Sequence, residues 1–94
     1  MTFYVGDVAT FELKFYNSSK VLFDPPKVTV EYETPEDSGT YEYEVDAELI
    51  RTGTGEYEFD LSVLAAGRHE AKGYGLNEAD LPVSASPTKA FDAK

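Results

Sequence analysis

From Val8 to Phe15 the chain alternates strictly, with Ala9, Phe11, Leu13 and Phe15 on one side and Val8, Thr10, Glu12 and Lys14 on the other. A period of two marks a strand with one buried face. The period recurs in "KVTVEYE", with Val28, Val30 and Tyr32 inward, and in "TYEYEV", with Tyr41, Tyr43 and Val45 inward. The intervening "TPEDSG" is rich in turn formers, so the two runs read as an antiparallel hairpin. Apolar residues meet throughout if Tyr32 faces Tyr41, Val30 faces Tyr43 and Val28 faces Val45. That register sets Glu31 opposite Glu42 and Thr29 opposite Glu44 on the outer side, and a one-residue slip would spoil every pair.

A second hairpin follows in "DAELIRTGTGEYEFDLSV", where Gly53 and Gly55 supply positive φ at a tight bend. Its best register pairs Leu49 with Phe59 and Ala47 with Leu61, leaves Ile50 on the outer side, and sets Glu48 against Asp60. Before the first strand "YVGD" reads as a bend, with room for a short strand at Thr2 to Val5. "YNSSK" is a turn, and Pro25 and Pro26 confine "VLFDPPK" to an edge or a turn, because proline donates no ladder hydrogen bond. Later, "RHEAKGYG" reads as a thinner strand, "LNEADLP" as a loop, and "VSASPTKAF" as a last strand interrupted by Pro87. "LSVLAAGRHE" is the one stretch with helical character, and Gly67 ends it early. About seven strands spaced near ten residues apart, with no periodic helix, predict an all-β fold: a two-sheet antiparallel sandwich of immunoglobulin-like type, in preference to a closed barrel.

Composition narrows the class further. Ninety-four residues make one small domain, spanning 1–94, and 41% hydrophobic residues with seven Tyr and six Phe suffice for a β core. The absence of cysteine excludes a disulfide framework and a thiolate zinc site and suits synthesis in a reducing compartment. "MTFYVGDVATF" has neither the basic start nor the apolar run of a signal peptide, and no stretch is apolar enough for a membrane helix. The net charge of −10 argues against nucleic acid, whose phosphates require clustered Lys and Arg. Residues 31 to 60 hold eleven acids against Arg51 alone and so carry the entire net charge, while the rest of the chain balances.

The chemistry-bearing side chains give no constellation. His69 is the lone histidine and is expected at the surface or half-buried on its strand. None of the six serines sits in a nucleophile elbow. Glycoside hydrolysis needs two carboxyls across a cleft, and a solvated acidic segment supplies no such pair. Calcium takes six to eight oxygen ligands, yet neither "TPEDSGTYE" nor "EADLP" has EF-hand spacing. The acids Glu31, Glu42, Glu44, Glu48, Glu58 and Asp60 are therefore expected to form a solvent-facing acidic surface, binding no cofactor and no metal. Phe3, Tyr4, Tyr16, Phe23 and Tyr74 fall outside the inward sets. All five are able to anchor a protein interface, where Tyr and Phe are enriched, and the first four with Thr2, Pro25 and Pro26 form the interface candidates.

The order of short motifs carries a resemblance. Gly6 and Asp7 precede the first long strand, Asp24 and Pro25 precede the next, Thr54, Gly55 and Tyr57 follow as Thr-Gly-x-Tyr, and Gly67 leads a late strand. This resembles small immunoglobulin-like proteins encoded among the virion assembly genes of tailed bacteriophages. After the last Gly, where such proteins often have aromatic residues, this chain has Arg68, His69, Glu70 and Ala71. The resemblance implies a non-enzymatic virion protein, made in the host cytoplasm, that contacts the major capsid protein or another virion protein, with self-association also open. It implies a capsid decoration (cement) protein first and a neck or tail accessory second. A free carbohydrate- or calcium-binding sandwich module is the competing expectation.

Overall fold

The computed structural model describes residues 2–94. Eight strands form two antiparallel sheets: β1 (Val8–Lys14), β2 (Lys27–Glu33), β3 (Ser38–Glu42), β4 (Ile50–Gly53), β5 (Glu56–Ser62), β6 (Gly67–Leu76), β7 (Pro82–Ala85) and β8 (Lys89–Ala93). The smaller sheet has the order β1-β5-β4 and the larger β3-β2-β6-β7, with β8 also on β6. This is the immunoglobulin order, in which strands B, E and D (β1, β5, β4) face C, F and G (β2, β6, β7–β8), and β3 is the added C′. Among the described residues no strand A lies beside β1. The N-terminal stretch crosses instead to the other sheet, where the Val5 N–H donates to the Lys94 carbonyl (3.2 Å) and the Lys94 N–H to the Phe3 carbonyl (2.9 Å).

The alternation of β1 holds without exception: Ala9, Phe11, Leu13 and Phe15 are buried and the residues between them exposed. They meet Tyr57, Phe59 and Leu61 of β5 in the same layer, with the Phe11 and Phe59 rings 5.2 Å apart. Across the sandwich Tyr41 meets Phe59 edge-on at 5.6 Å, Tyr43 meets Tyr57 at 5.1 Å, and Phe11 stacks on Phe91 at 5.8 Å. Edge-to-face and offset rings at such spacings are favourable beyond the apolar area they bury.

The stretch expected to be the thin strand is the centre of the larger sheet. β6 runs for ten residues and pairs with β2 on one side and β7 and β8 on the other. Its inward residues are His69, Ala71, Gly73 and Gly75, and the small size of the two glycines is what the packing requires. A Cβ on Gly73 would come within 2.9 Å of the Phe15 ring, and one on Gly75 within 2.5 Å of Pro25. His69 itself is only 1% exposed, not a surface residue. Its ring lies parallel to Phe91 at 5.0 Å, and Nδ1 is 3.0 Å from the Gly67 carbonyl oxygen.

Four expectations of register and extent change. The first hairpin is shifted by two residues, so Tyr32 faces Gly39, Val30 faces Tyr41, Glu31 faces Thr40 and Thr29 faces Glu42. Thr34 is the cause. Its hydroxyl accepts from the N–H groups of Glu36 and Asp37, and its own N–H donates to the Asp37 carbonyl, closing the turn within residues 34–37. The Tyr32 ring then lies over Gly39, where any Cβ would clash at 2.5 Å. Second, β3 stops at Glu42. Glu44 takes a positive φ of 71°, Asp46 accepts from the Glu42 N–H, and Val45 turns out to solvent. Third, the last strand is two strands. Ser86 bonds Gly73 through both its main chain and its hydroxyl at the break, and β7 and β8 flank Pro87 on one edge of β6. Fourth, the second hairpin has the expected offset at Ile50–Glu58 and Arg51–Tyr57, but β4 begins at Ile50, so the expected pairs Leu49–Phe59, Ala47–Leu61 and Glu48–Asp60 do not form and Ala47, Glu48 and Leu49 lie in the preceding turn. Ile50 faces outward as expected, and Leu49 is buried without ladder pairing.

Candidate functional site

One end of the sandwich is assembled from four separate segments. Asp24 is its clasp: the carboxylate accepts from Arg51 Nε (3.1 Å) and Nη2 (2.9 Å), from the Gly55 N–H (2.9 Å) and from the Tyr57 hydroxyl (3.2 Å). The Arg51 hydrogen bonds, with Gly55 adding to them, hold its pKa down at about 2. Burial, with Asp24 next, pushes the Tyr57 phenol up to about 12. Gly55 is required at this point, because it has φ +69° and a Cβ would lie 2.8 Å from the Phe23 main chain. The Asp-Pro and Thr-Gly-x-Tyr motifs are thus two halves of a single connection between the layers.

Beyond the clasp, two loops repeat one design. Asn17 Oδ1 accepts from the N–H groups of Ser19 (2.9 Å) and Val21 (3.1 Å), and Asn77 Oδ1 accepts from those of Ala79 (2.9 Å) and Leu81 (3.0 Å). In each, the Asn N–H donates to the carbonyl four residues on, and the residue before that aliphatic position has φ near +60°, at Lys20 (61°) and Asp80 (62°). Asparagine serves here because its short amide substitutes for a main-chain turn partner. The loops sit side by side: Lys27 Nζ is 2.7 Å from Asp80, and the Ser84 hydroxyl donates to the Tyr16 carbonyl at 3.0 Å. This arrangement leaves Tyr16, Val21 and Leu81 exposed at 47, 58 and 59% on one tip. Lys20, Lys27 and Arg51 there balance Asp24, Glu78 and Asp80.

The seven interface candidates divide between the two ends. Tyr16, Phe23, Pro25 and Pro26 belong to the loop tip, where Phe23 packs partly on the core and Pro25 is buried against Gly75, so neither presents a full side chain. Thr2, Phe3 and Tyr4 lie at the other end, the length of β1 away, about 20 Å. There Phe3 packs on Phe91 at 4.4 Å, and Tyr4 is exposed above the Tyr4–Asp7 turn. Val21 and Leu81 were missed by sequence reasoning, although the repeat of Asn four residues before an aliphatic residue was available to find them.

The acids do not share one face. Glu31 and Glu42 lie on the outer side of the larger sheet, Glu58 and Asp60 on the outer side of the smaller one, and Glu44 and Glu48 on the segment that joins their edges, β3 and β4. Together they wrap one edge of the sandwich. Glu31 sits between Thr40 and Lys72, so its expected conflict with Glu42 does not arise. The same-sign pairs that do form are Glu12–Glu58 and Glu33–Glu70, and Glu70 is 3.1 Å from Arg68. Among the described residues no three His, Asp or Glu side chains converge as metal ligands. The larger hollows, such as one of about 420 Å³ on the outer face of the large sheet beside Tyr74 and Lys72, are open grooves. Comparison with protein-family models, curated proteins and solved structures returns no match to this chain.

Proposed function

We propose that the chain is a non-enzymatic structural protein of a tailed-phage virion, a capsid decoration protein that docks on the shell through its loop tip. The observation that carries the proposal is the Asp24 clasp. The scattered motifs behind the phage resemblance, Asp24-Pro25 and Thr54-Gly55-x-Tyr57, are bonded to one another, so they act as one structural unit. The tip beside that unit is charge-balanced and displays Tyr16, Val21 and Leu81, a combination cheap to desolvate. The acidic edge would cost far more to bury and turns to solvent, where it keeps the particle surface negative.

Quantitative mass spectrometry of purified virions tests the proposal. Occupancy matching the shell lattice is the expected result, a ring's worth of copies would place the chain at the neck or tail, and absence from the particle would overturn the virion role. Tyr16→Asp with Leu81→Asp should abolish incorporation, whereas Glu42→Lys with Glu44→Lys should leave it intact. Loss in the second pair would move docking to the acidic edge.

A further inference from the structure

The free edge of β1 is the long, regular edge of this sandwich. Across the β1–β5 seam the Phe15 N–H donates to the Gly55 carbonyl (2.9 Å) and the Val63 N–H to the Asp7 carbonyl (2.9 Å), so odd-numbered residues turn their main chain toward β5. Alternation sends the N–H and C=O groups of Val8, Thr10, Glu12 and Lys14 the other way. Among the described residues no hydrogen bond outside the ladder reaches them. This is the side on which immunoglobulin domains place strand A, and here the N-terminal stretch has gone to the opposite sheet.

The other three edges are blunted. β4 has four residues and an irregular register between Arg51 and Gly53. The β7–β8 edge is broken around Ser86 and contains Pro82 and Pro87. β3 has five residues and leads into Glu44, Asp46 and Glu48. Short strands, prolines, bulges and charge are the ordinary protections against strand addition. β1 has seven residues in unbroken register with no proline.

We propose that two copies of the chain pair edge to edge through antiparallel β1 strands, joining their smaller sheets into one of six strands. Charge selects both the occupant and the register. With Leu13 facing Leu13 of the second copy, Glu12 lies opposite Lys14 of the second copy and Lys14 opposite its Glu12. The shift that centres on Glu12 instead sets two glutamates face to face. An approach through the acidic β3–β4 edges would bring like charges together. Pairing through β1 keeps the two β4 edges about 24 Å apart, several Debye lengths at physiological salt. The pairing sets Tyr16 of each tip opposite Thr10 of the second copy and leaves Val21 and Leu81 free, and sedimentation of the purified chain reads it apart from incorporation into virions.

Sedimentation of the purified chain from micromolar to near-millimolar concentration should show a monomer–dimer equilibrium. The amides of Thr10, Glu12 and Lys14 should gain hydrogen-exchange protection as the dimer fills. Glu12→Pro removes an outward N–H and no bond of the monomer, and should leave a folded monomer at all concentrations. Glu12→Lys or Lys14→Glu alone sets like charges across both pairs and should weaken the dimer about tenfold. The exchange E12K/K14E should restore wild-type affinity, which keeps the proposal open to refutation even if Glu12→Pro does not fold. A wild-type chain monomeric throughout would overturn it, leaving the edge to a strand from another protein. A dimer indifferent to the charge exchanges would overturn it too.

Discussion

At Asp24 one carboxylate meets four donors, two from Arg51 and one each from Gly55 and Tyr57, which makes it the most concentrated polar contact in the chain. The residue lies between an edge loop and the β4–β5 bend, so its loss frees both at once. The folded pKa of about 2 is below the ordinary 3.8, so the carboxylate contributes stability above pH ~4 that disappears as pH falls toward 2. A shift of that size corresponds to about 2.5 kcal/mol. The side chain is 40% exposed, however, and solvent screening reduces the expected contribution to about 1 kcal/mol. Asp24→Asn should therefore lower the melting temperature at neutral pH by a few degrees and flatten its decline between pH 4 and 2. Thermal melts across that window check both effects, and an unchanged acid slope would show that other carboxylates govern it.

Strands differ in how openly the sequence declares them. β1 was legible because its inward positions Ala9, Phe11 and Leu13 are all apolar while Thr10, Glu12 and Lys14 between and after them are polar. In the β2–β3 hairpin the inward and outward sets were legible, but the register was not, because Gly39 was assigned to the turn when it is a strand residue roofed by Tyr32. β6 was undervalued for a related reason: its inward Ala71, Gly73 and Gly75 carry no hydrophobic signal, since Phe15, Leu13 and Pro25 fill the space they vacate. The loop tip was legible only in part, because no local pattern reports that Asn17 and Asn77 build neighbouring loops 60 residues apart. Corrected registers relocate the same-sign contact to Glu12 opposite Glu58, on the outer side of the smaller sheet. Such a pair weakens a sheet by some tenths of a kcal/mol to about 1. Glu58→Lys should reverse its sign and raise stability by about 0.5 to 1 kcal/mol. Because screening relieves repulsion and dulls attraction, added NaCl should raise the melting temperature of the wild type more than that of the variant. Equal salt responses would mean that the pair does not govern them.

Across the whole molecule, charge and aromatic packing meet at the same place. The acidic segment wraps the β3–β4 edge, and directly beneath it Tyr41, Tyr43, Tyr57 and Phe59 close the two sheets on each other. The seam depends on phenols remaining neutral. Burial first, then Tyr32 beside it, pushes Tyr41 up to about 12, and burial, then Asp24, does the same for Tyr57. Both folded values exceed the ordinary 10, so the native state binds these protons more tightly than the unfolded chain does. The corresponding stability is fully present below pH 10 and is lost as pH rises through 12. Each shift is worth of the order of 2 kcal/mol, comparable with a large fraction of the stability of so small a domain. Ionising either phenol would also add charge to an edge that already carries the net −10. The alkaline melt should therefore be steep between pH 10 and 12, with phenolate absorbance rising together with loss of structure. Tyr41→Phe should move that transition to higher pH at little cost in neutral stability, since the ring still packs on Phe59. Tyr57→Phe should move it as well, but with a loss near neutrality because Asp24 then lacks one donor. Phenolate absorbance that rises before the structure melts would show instead that the seam tolerates the charge.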